Sequence, residues 1–321
     1  MGHENTSFGQ PTDAPVDIAS WKVDETFAVY PEGARDKGLL YSPDPSPYRF
    51  LVANHRYLFK RAFRRYPDQF WAEIIAYRIG SNLGVSIPPT FVAWHSGTGV
   101  CGALSEWFLA YPGKPIERYV PGGDILTSMF GDYDRKRGRQ HNFEAIERYL
   151  TVMENNGTLK GCWRGWWCDT LLFDALIGNT DRHHDNWGLL WSTENSARMA
   201  PVFDNGTSLG HEIFPCKMPT FSDDKRLHDY MSRGCHHMRG HVRDERRISH
   251  EASIQYLLGR WPDMRGHIEN RLAGFDDANI RSIITGMTQF VIPVPLSAAR
   301  AEFVVRLTTA RYRALIRTLT G

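Results

Sequence analysis

The chain has 321 residues, of which 42% are hydrophobic and 23% are charged, so a packed globular protein is expected rather than a disordered one. The formal net charge of +2 is too balanced to indicate nucleic acid or an anionic membrane as a direct partner. The five cysteines are irregularly spaced, which argues against a disulfide framework and favours a reducing compartment such as the cytoplasm. No apolar run would span a membrane, and the polar N-terminus lacks the core of a signal peptide. A secreted effector without a classical signal peptide is the alternative.

The first part of the chain, up to about residue 110, is predicted to be rich in strands. Residues 1–20 are polar and show no periodicity, which predicts a flexible N-terminal arm. Apolar side chains recur at three- and four-residue steps between residues 70 and 83, which predicts a helix with one buried stripe. Strand-like stretches bounded by turn residues are predicted at 26–30, 39–41, 49–60, 90–94 and 100–108, with a turn at 33–38.

The second part of the chain is predicted to be rich in helices. A Gly- and Pro-rich loop at 112–123 marks the change, and residues 168–177 are apolar on nearly every face, as in a buried central helix. Further elements are expected at 143–153, at 189–191 and 198–203 as a short hairpin, and through most of a helical tail from residue 251. We therefore predict an α+β fold in three parts: an arm at 1–20, a strand-rich N-lobe at 21–110 and a helical C-lobe at 111–321.

Three polar residues lie in predicted loops of the helix-rich half. Asp181 and Asn186 lie in a polar loop directly after the apolar helix, and Asp204 precedes an Asn-Gly turn. In-line phosphoryl transfer needs one carboxylate beside the attacking hydroxyl, and a second carboxylate with an amide oxygen to hold Mg²⁺. We predict Asp181 as the catalytic base and Asn186 and Asp204 as Mg²⁺ ligands. Taken separately, these residues would be interpreted as polar groups of a helix-capping loop; the joined pattern argues for catalysis.

A phosphate-binding cation is expected in the strand-rich half. Lys60 ends an apolar strand, and Glu73 follows on the predicted helix. In kinases such a Lys contacts the phosphates and such a Glu orients it, whereas the alternative is a solvated Lys and a solvated Glu. Residues 104–108 end the last strand of this half, where a hinge would offer backbone groups to adenine.

A histidine-rich segment follows later in the chain. Cys235, His236, His237 and His241 have side chains that could bind a metal. Zinc sites usually show a second spaced pair, which is not evident here, so a surface loop is the favoured interpretation.

Three blocks of this sequence resemble the HipA-like serine/threonine kinases, especially short members that consist of the kinase portion alone. The first block is residues 173–188, the second is 200–209, and the third and weakest joins 33–37 with 57–60. A looser version of the first block also occurs in phosphatidylinositol 3- and 4-kinases. The resemblance implies a two-lobed protein-kinase-like fold, ATP and Mg²⁺ as cofactors, and a protein Ser/Thr as acceptor.

Matched position by position, the resemblance implies a role for each residue of the site. It implies the catalytic base at Asp181, Mg²⁺ ligands at Asn186 and Asp204, the phosphate lysine at Lys60, a hinge at Glu106 and Phe108, a phosphate loop ending at Lys37, and a catalytic-loop role for His183. Some family members are toxins that phosphorylate aminoacyl-tRNA synthetases and are restrained by a small DNA-binding antitoxin, so an antitoxin-type partner is possible.

Two features depart from the full-length toxins. Their additional N-terminal subdomain has no counterpart here, and Tyr30 stands where they carry an autophosphorylated Ser. Three alternative functions stay open at this point: a kinase of a small molecule or lipid head group, a nucleotide-binding pseudokinase that serves as an interaction module, and a nucleotidyl transferase.

Overall fold

Two β-sheets and a helical layer form the part of the chain that the computed structural model describes, residues 9–25, 37–61 and 65–320. The first sheet has six strands, in the order β1-β5-β6-β4-β3-β2, and only the β1–β5 pair is parallel. Its strands are β1 (Val16–Asp17), β2 (Lys22–Val23), β3 (Lys37–Tyr41), β4 (Arg56–Arg61), β5 (Thr90–His95) and β6 (Val100–Glu106). Helix α1 (Gln69–Asn82) contacts β5 and β6 and forms where its apolar spacing predicts a helix, but it is buried on more than the one predicted stripe.

The remainder of the described chain is mainly helical, with a second sheet in the order β7-β9-β10-β8. Its elements are β7 (Glu117–Pro121), α2 (Gly122–Met129), α3 (Phe143–Asn155), β8 (Leu159–Lys160), α4 (Trp163–Ile177), β9 (Gly188–Ser192), β10 (Ala197–Met199), α5 (Asp224–Ser232), α6 (His250–Arg260), α7 (Arg265–Leu272), α8 (Asp277–Gly286) and α9 (Ala298–Thr320). Helix α4 is surrounded by α6, α7 and α9 and is almost wholly buried. No helix of the described residues is long and apolar enough to cross a membrane.

The predicted helices at 70–83, 143–153 and 168–177, the hairpin and the helical tail are all confirmed, although α4 starts at Trp163. Two expectations are wrong. The segment 112–123 is not all loop, because β7 pairs with β9. Residues 9–20 are not a free arm: Val16 is buried, and the Gln10 side chain bonds both the N–H and the C=O of Val92 at 2.8 Å. Both segments are held by partners distant in sequence, which local periodicity does not register. The predicted strand at 26–30 lies outside the described residues.

Candidate active site

Lys60, Glu73 and Asp204 meet in the structure although they come from β4, α1 and the turn after β10. The Lys60 Nζ donates to Glu73 Oε1 at 3.0 Å and to Asp204 Oδ1 at 2.8 Å. Lys60 is 7% exposed, whereas the Asp204 side chain is 35% exposed. A buried ammonium between two carboxylates is electrostatically satisfied, and the partly exposed Asp204 keeps one side of the group open to a ligand.

The turn that carries Asp204 has a strained backbone. Asp204 has a φ of 56°, in the left-handed region that residues other than Gly rarely adopt. The next residue is held in place, because the Asn205 N–H donates to Glu73 Oε1 at 3.1 Å. Strain of this kind persists where surrounding contacts impose it, and it concentrates at functional sites.

The loop after α4 is ordered by its own side chains. Gly178, with a φ of 67°, ends the helix, and the chain then turns back. The Asn179 amide donates to Asp174 Oδ1 at 2.9 Å and accepts from the Asp181 N–H at 3.0 Å. The Asn186 amide nitrogen donates to the Asp181 carbonyl at 2.7 Å, which makes the amide oxygen the end of that side chain that can face a cation.

Arg182 lies at the centre of this arrangement, and the sequence reasoning did not identify it. Its guanidinium is 0% exposed and forms a two-point contact with Asp174, at 3.0 Å from Nε and 2.8 Å from Nη2. It also donates to the carbonyls of Asn186 and Phe203, at 3.1 and 2.5 Å, and to Asn205 Oδ1 at 2.6 Å. Arg182 therefore joins the Asn186 loop to the Asp204 turn. The available signal was Asp174, one of two carboxylates in a helix that is predicted to be buried, because a buried carboxylate requires a partner.

The predicted hinge follows β6. The Glu106 carboxylate accepts from the hydroxyls of Tyr57 at 3.1 Å and Tyr111 at 2.6 Å, and burial raises its pKa. Phe108 packs on Phe203 with ring centroids 5.2 Å apart, next to Asp204. Within the described ranges, the Phe108 N–H has no hydrogen-bond partner, so it can donate to a ligand. The Glu106 side chain, by contrast, supports the hinge from inside.

Two further predicted site residues, Lys37 and His183, lie in β3 and in the loop after α4. Lys37 begins β3 and is paired in register with Lys60, while the rest of the predicted phosphate loop and Tyr30 lie outside the described residues. His183 is half-buried in the loop, and its Nδ1 accepts from the Asp185 N–H at 3.2 Å. This contact is compatible with the predicted role of His183 in building the loop.

The donor set fits magnesium and a phosphorylated nucleotide. Asn186 and Asp204 offer an amide and a carboxylate oxygen, the hard ligands that Mg²⁺ prefers. Lys60 supplies a positive charge beside Asp204. The roles of these residues remain predictions.

The histidine-rich segment differs from the expected surface loop. His236 is fully buried, with Nδ1 3.9 Å from Asp174 Oδ2 and Nε2 3.0 Å from Ser253 Oγ. His237 is half-buried, and only His241 is well exposed. Sequence composition could not reveal this burial, because α4 and α6 contact His236 only in the folded chain.

The buried histidines predict a loss of stability in acid. Burial lowers the pKa of His236 to about 3 and also lowers the pKa values of His141 and His250, from an ordinary value of 6.5. An unfolded chain binds these protons near pH 6.5, whereas the folded chain does not, so the free energy of unfolding falls as the pH drops below 6.5. Above that pH this contribution to stability is fully present.

Thermal unfolding between pH 7.5 and 4 measures this effect. The His236→Gln variant, which retains a polar partner for Ser253, is expected to show a shallower fall in Tm with decreasing pH than the wild type. The exposed His241→Gln serves as the matched control and should follow the wild-type curve. Equal slopes for His236→Gln and the wild type would contradict the prediction.

The fold and the arrangement around Lys60 define a two-lobed, kinase-like α+β protein. Among solved structures, the chain is similar to the Helicobacter pylori proinflammatory kinase CtkA, with a TM-score of 0.71 and 18% identity over 95% of this chain and 96% of that chain. This likeness confirms the predicted fold. A Shewanella oneidensis HipA, solved with HipB and operator DNA, matches at a TM-score of 0.44 and 14% identity over 96% of this chain and 74% of that chain. No protein-family model and no curated protein sequence matches the chain.

Proposed function

We propose that the chain is an ATP- and Mg²⁺-dependent kinase that transfers the γ-phosphate to a Ser or Thr of a protein. The observation that carries the proposal is the convergence at Lys60, whose ammonium is hydrogen-bonded to both Glu73 and Asp204. Kinases use a Lys–Glu pair beside a metal-binding carboxylate, and here the three residues meet only because both halves of the chain contribute. The kinase-like fold supports the same conclusion.

The side chains of the site would divide the chemistry among them. Asp181 would accept the proton of the attacking hydroxyl, as a base held by the backbone contacts of its loop. Asn186 and Asp204 would hold Mg²⁺, which neutralises phosphate charge when bound. Lys60 would contact the phosphates, with Glu73 orienting its ammonium. The Phe108 N–H would donate to adenine at the hinge.

The acceptor class is inferred from the sequence resemblance of residues 173–188 and 200–209. The same resemblance suggests a toxin or effector that acts on a component of translation, with an antitoxin-type partner. A loop of this kind also serves kinases of small molecules and lipid head groups, so the acceptor is what the experiment must identify.

The test supplies the purified chain with ATP labelled at the γ- or the α-phosphate, in Mg²⁺ or in EDTA. The chain itself, a mixture of proteins and inositol-type head groups serve as acceptors. Mg²⁺-dependent transfer of the γ-label to Ser or Thr is expected. Transfer of the α-label would instead identify a nucleotidyl transferase. Transfer of the γ-label to the head groups would identify a small-molecule kinase. Nucleotide binding without any transfer would identify a pseudokinase.

The Asp204→Asn substitution is expected to lower the initial rate of γ-phosphate transfer by about a hundredfold or more, because a bound metal contributes several kcal/mol of charge stabilisation. A neutral amide also binds Mg²⁺ more weakly, so the Mg²⁺ concentration at half-maximal rate should rise. Asp229→Asn, at an exposed position on α5, is the control and should retain the wild-type rate. An unchanged Mg²⁺ dependence in Asp204→Asn would contradict the metal-binding role.

A further inference from the structure

A cavity lies between α4, α5, α6 and α9. Its volume is about 400 Å³, a size suited to a small ligand. Arg311 and Arg317 of α9 line it together with His250, and Glu251 is the one carboxylate among its lining residues. The cavity is therefore cationic on balance.

Arg311 is the unusual residue of this cavity, because its guanidinium is buried and the carboxylate that acts on it, that of Glu212, does so only from beyond salt-bridge distance. It is 5% exposed, and among the described residues no carboxylate lies within ion-pairing distance of it. Its Nε is buried without a hydrogen-bond partner. A buried guanidinium left in this state is costly, and a missing anion is the simplest compensation.

The contacts that Arg311 does make are weak. Its Nη1 lies 3.5 Å from the Ala175 carbonyl at the end of α4 and 3.3 Å from His250 Nδ1. The guanidinium also packs closely on Gly178, where a Cβ would come within 2.5 Å of Cζ. These contacts place Arg311 at the C-terminal end of α4, where a cation is favourable, but one long hydrogen bond to a carbonyl does not satisfy the group.

The opposite wall of the cavity is the N-terminus of α6. Ser249 caps this helix of 11 residues, and Ser249, His250 and Glu251 all line the cavity. Two of the first N–H groups of α6 are already used, since the His250 N–H donates to the Gly234 carbonyl at 3.3 Å and the Ala252 N–H to Ser249 Oγ at 3.1 Å. The helix therefore contributes mainly its dipole, which favours an anion at this end. Arg311 and the start of α6 thus present positive potential to the same space from two elements.

We propose that this cavity is a binding site for a small phosphate-bearing anion, held by Arg311 with help from Arg317 and the N-terminus of α6. A phosphoryl group matches a guanidinium in charge and in geometry. The site is distinct from the candidate active site, and the proposal does not depend on the proposed kinase function.

The position of the cavity connects it to the catalytic loop. Arg311 can only donate hydrogen bonds, so His250 Nδ1 accepts and His250 Nε2–H donates to the Asn179 carbonyl at 2.7 Å. Asn179 in turn holds the Asp181 N–H. An anion that fixes Arg311 therefore also fixes the hydrogen bond to Asn179, two residues before the predicted base.

The experiment titrates the full chain with inorganic phosphate, and separately with O-phosphoserine, at constant ionic strength set by chloride. Calorimetry gives the affinity and thermal unfolding gives the shift in Tm. Arg311→Met is expected to weaken binding by about tenfold or more, the effect of losing a charge-assisted hydrogen bond. Arg317→Gln should weaken it by a few-fold, and Arg313→Gln, an exposed position on the same helix paired with Asp277, should not change it.

If Arg311→Met does not fold, the phosphate affinities of Arg317→Gln and Arg313→Gln are compared instead, since both substitutions are at exposed positions on α9. Weaker binding in Arg317→Gln alone is expected. Tighter binding of phosphoserine than of phosphate would identify a phosphorylated side chain as the ligand. Tighter binding of phosphate would identify a free anion as the ligand. Equal affinity in the wild type and all variants would overturn the proposal, as would no stabilisation beyond that of chloride. A loss of Tm in Arg311→Met without any phosphate dependence in the wild type would leave Arg311 as a cap of α4 alone.

Discussion

Replacing Asp181 by Asn is expected to lower the rate of phosphotransfer by about 10²- to 10⁴-fold, the range that a positioned general base contributes. The amide has nearly the shape of the carboxylate but cannot accept the proton of the acceptor hydroxyl. Two contacts that order the loop use the Asp181 backbone, from its N–H to Asn179 and from Asn186 to its carbonyl, and the substitution leaves both in place. The KM for ATP should change little, because Asp181 is predicted to face the acceptor.

Asp185→Asn provides a matched control in the same loop. Asp185 is a partly exposed carboxylate that lies 2.8 Å from an Arg135 nitrogen and 3.1 Å from His184 Nε2. Loss of an exposed pair of this kind is worth about 1 kcal/mol or less, so near wild-type kcat is expected. Equal kcat values for Asp181→Asn and the wild type would refute the assignment of the base, while equal losses in Asp181→Asn and Asp185→Asn would indicate a general disturbance of the loop.

Arg182→Met is expected to cost about 3–5 kcal/mol of unfolding free energy, because it leaves the Asp174 carboxylate buried and uncompensated. The same change removes the donors that hold the carbonyls of Asn186 and Phe203 and the Asn205 side chain. The loop and the turn would then lose their common anchor, and phosphotransfer should fall even at temperatures where the variant is folded. Denaturant titration measures the first effect and initial rates at low temperature the second.

Arg135→Met shows how much of the loss of stability in Arg182→Met is due to the burial of Arg182. Arg135 also bridges two carboxylates, those of Asp124 and Asp185, but its side chain is 42% exposed. Its loss should cost about 1 kcal/mol or less. The double variant Arg182→Met with Asp174→Asn should recover part of the stability but none of the activity, because the stranded charge is gone while the anchor is still missing. Similar losses of stability in Arg182→Met and Arg135→Met would contradict this account.

Local patterns were sufficient for most of the helices. Helix α1 follows from apolar spacing and α4 from a nearly continuous apolar run, since burial of a stripe or of a whole helix leaves its period in the sequence. Pairings between distant segments leave no such period. For this reason β7, which depends on β9, and Val16, which depends on β5, were predicted as loop and arm.

The positions predicted for catalysis came from the sequence, whereas their mutual geometry came from the fold. Asp181, Asn186 and Asp204 were recognisable because phosphoryl transfer restricts the residue types at such a loop and turn. The contact of Lys60 with Glu73 follows from the packing of α1 on the sheet that contains β4. The contact with Asp204 depends on the turn after β10, which Glu73 also holds through the Asn205 N–H.

What the sequence determined by itself was the class of fold and most elements, because these depend on local spacing, and its residue types led to the proposal of a phosphoryl-transfer centre. Only the tertiary structure decided which charges are buried and what they touch. Arg182 and Arg311 are both arginines in polar or amphipathic sequence, yet the first is neutralised by Asp174 and the second has no carboxylate partner among the described residues. Burial and pairing depend on segments that are far apart in the chain. Electrostatic interactions of a charged side chain become strong only when those segments have displaced the surrounding water.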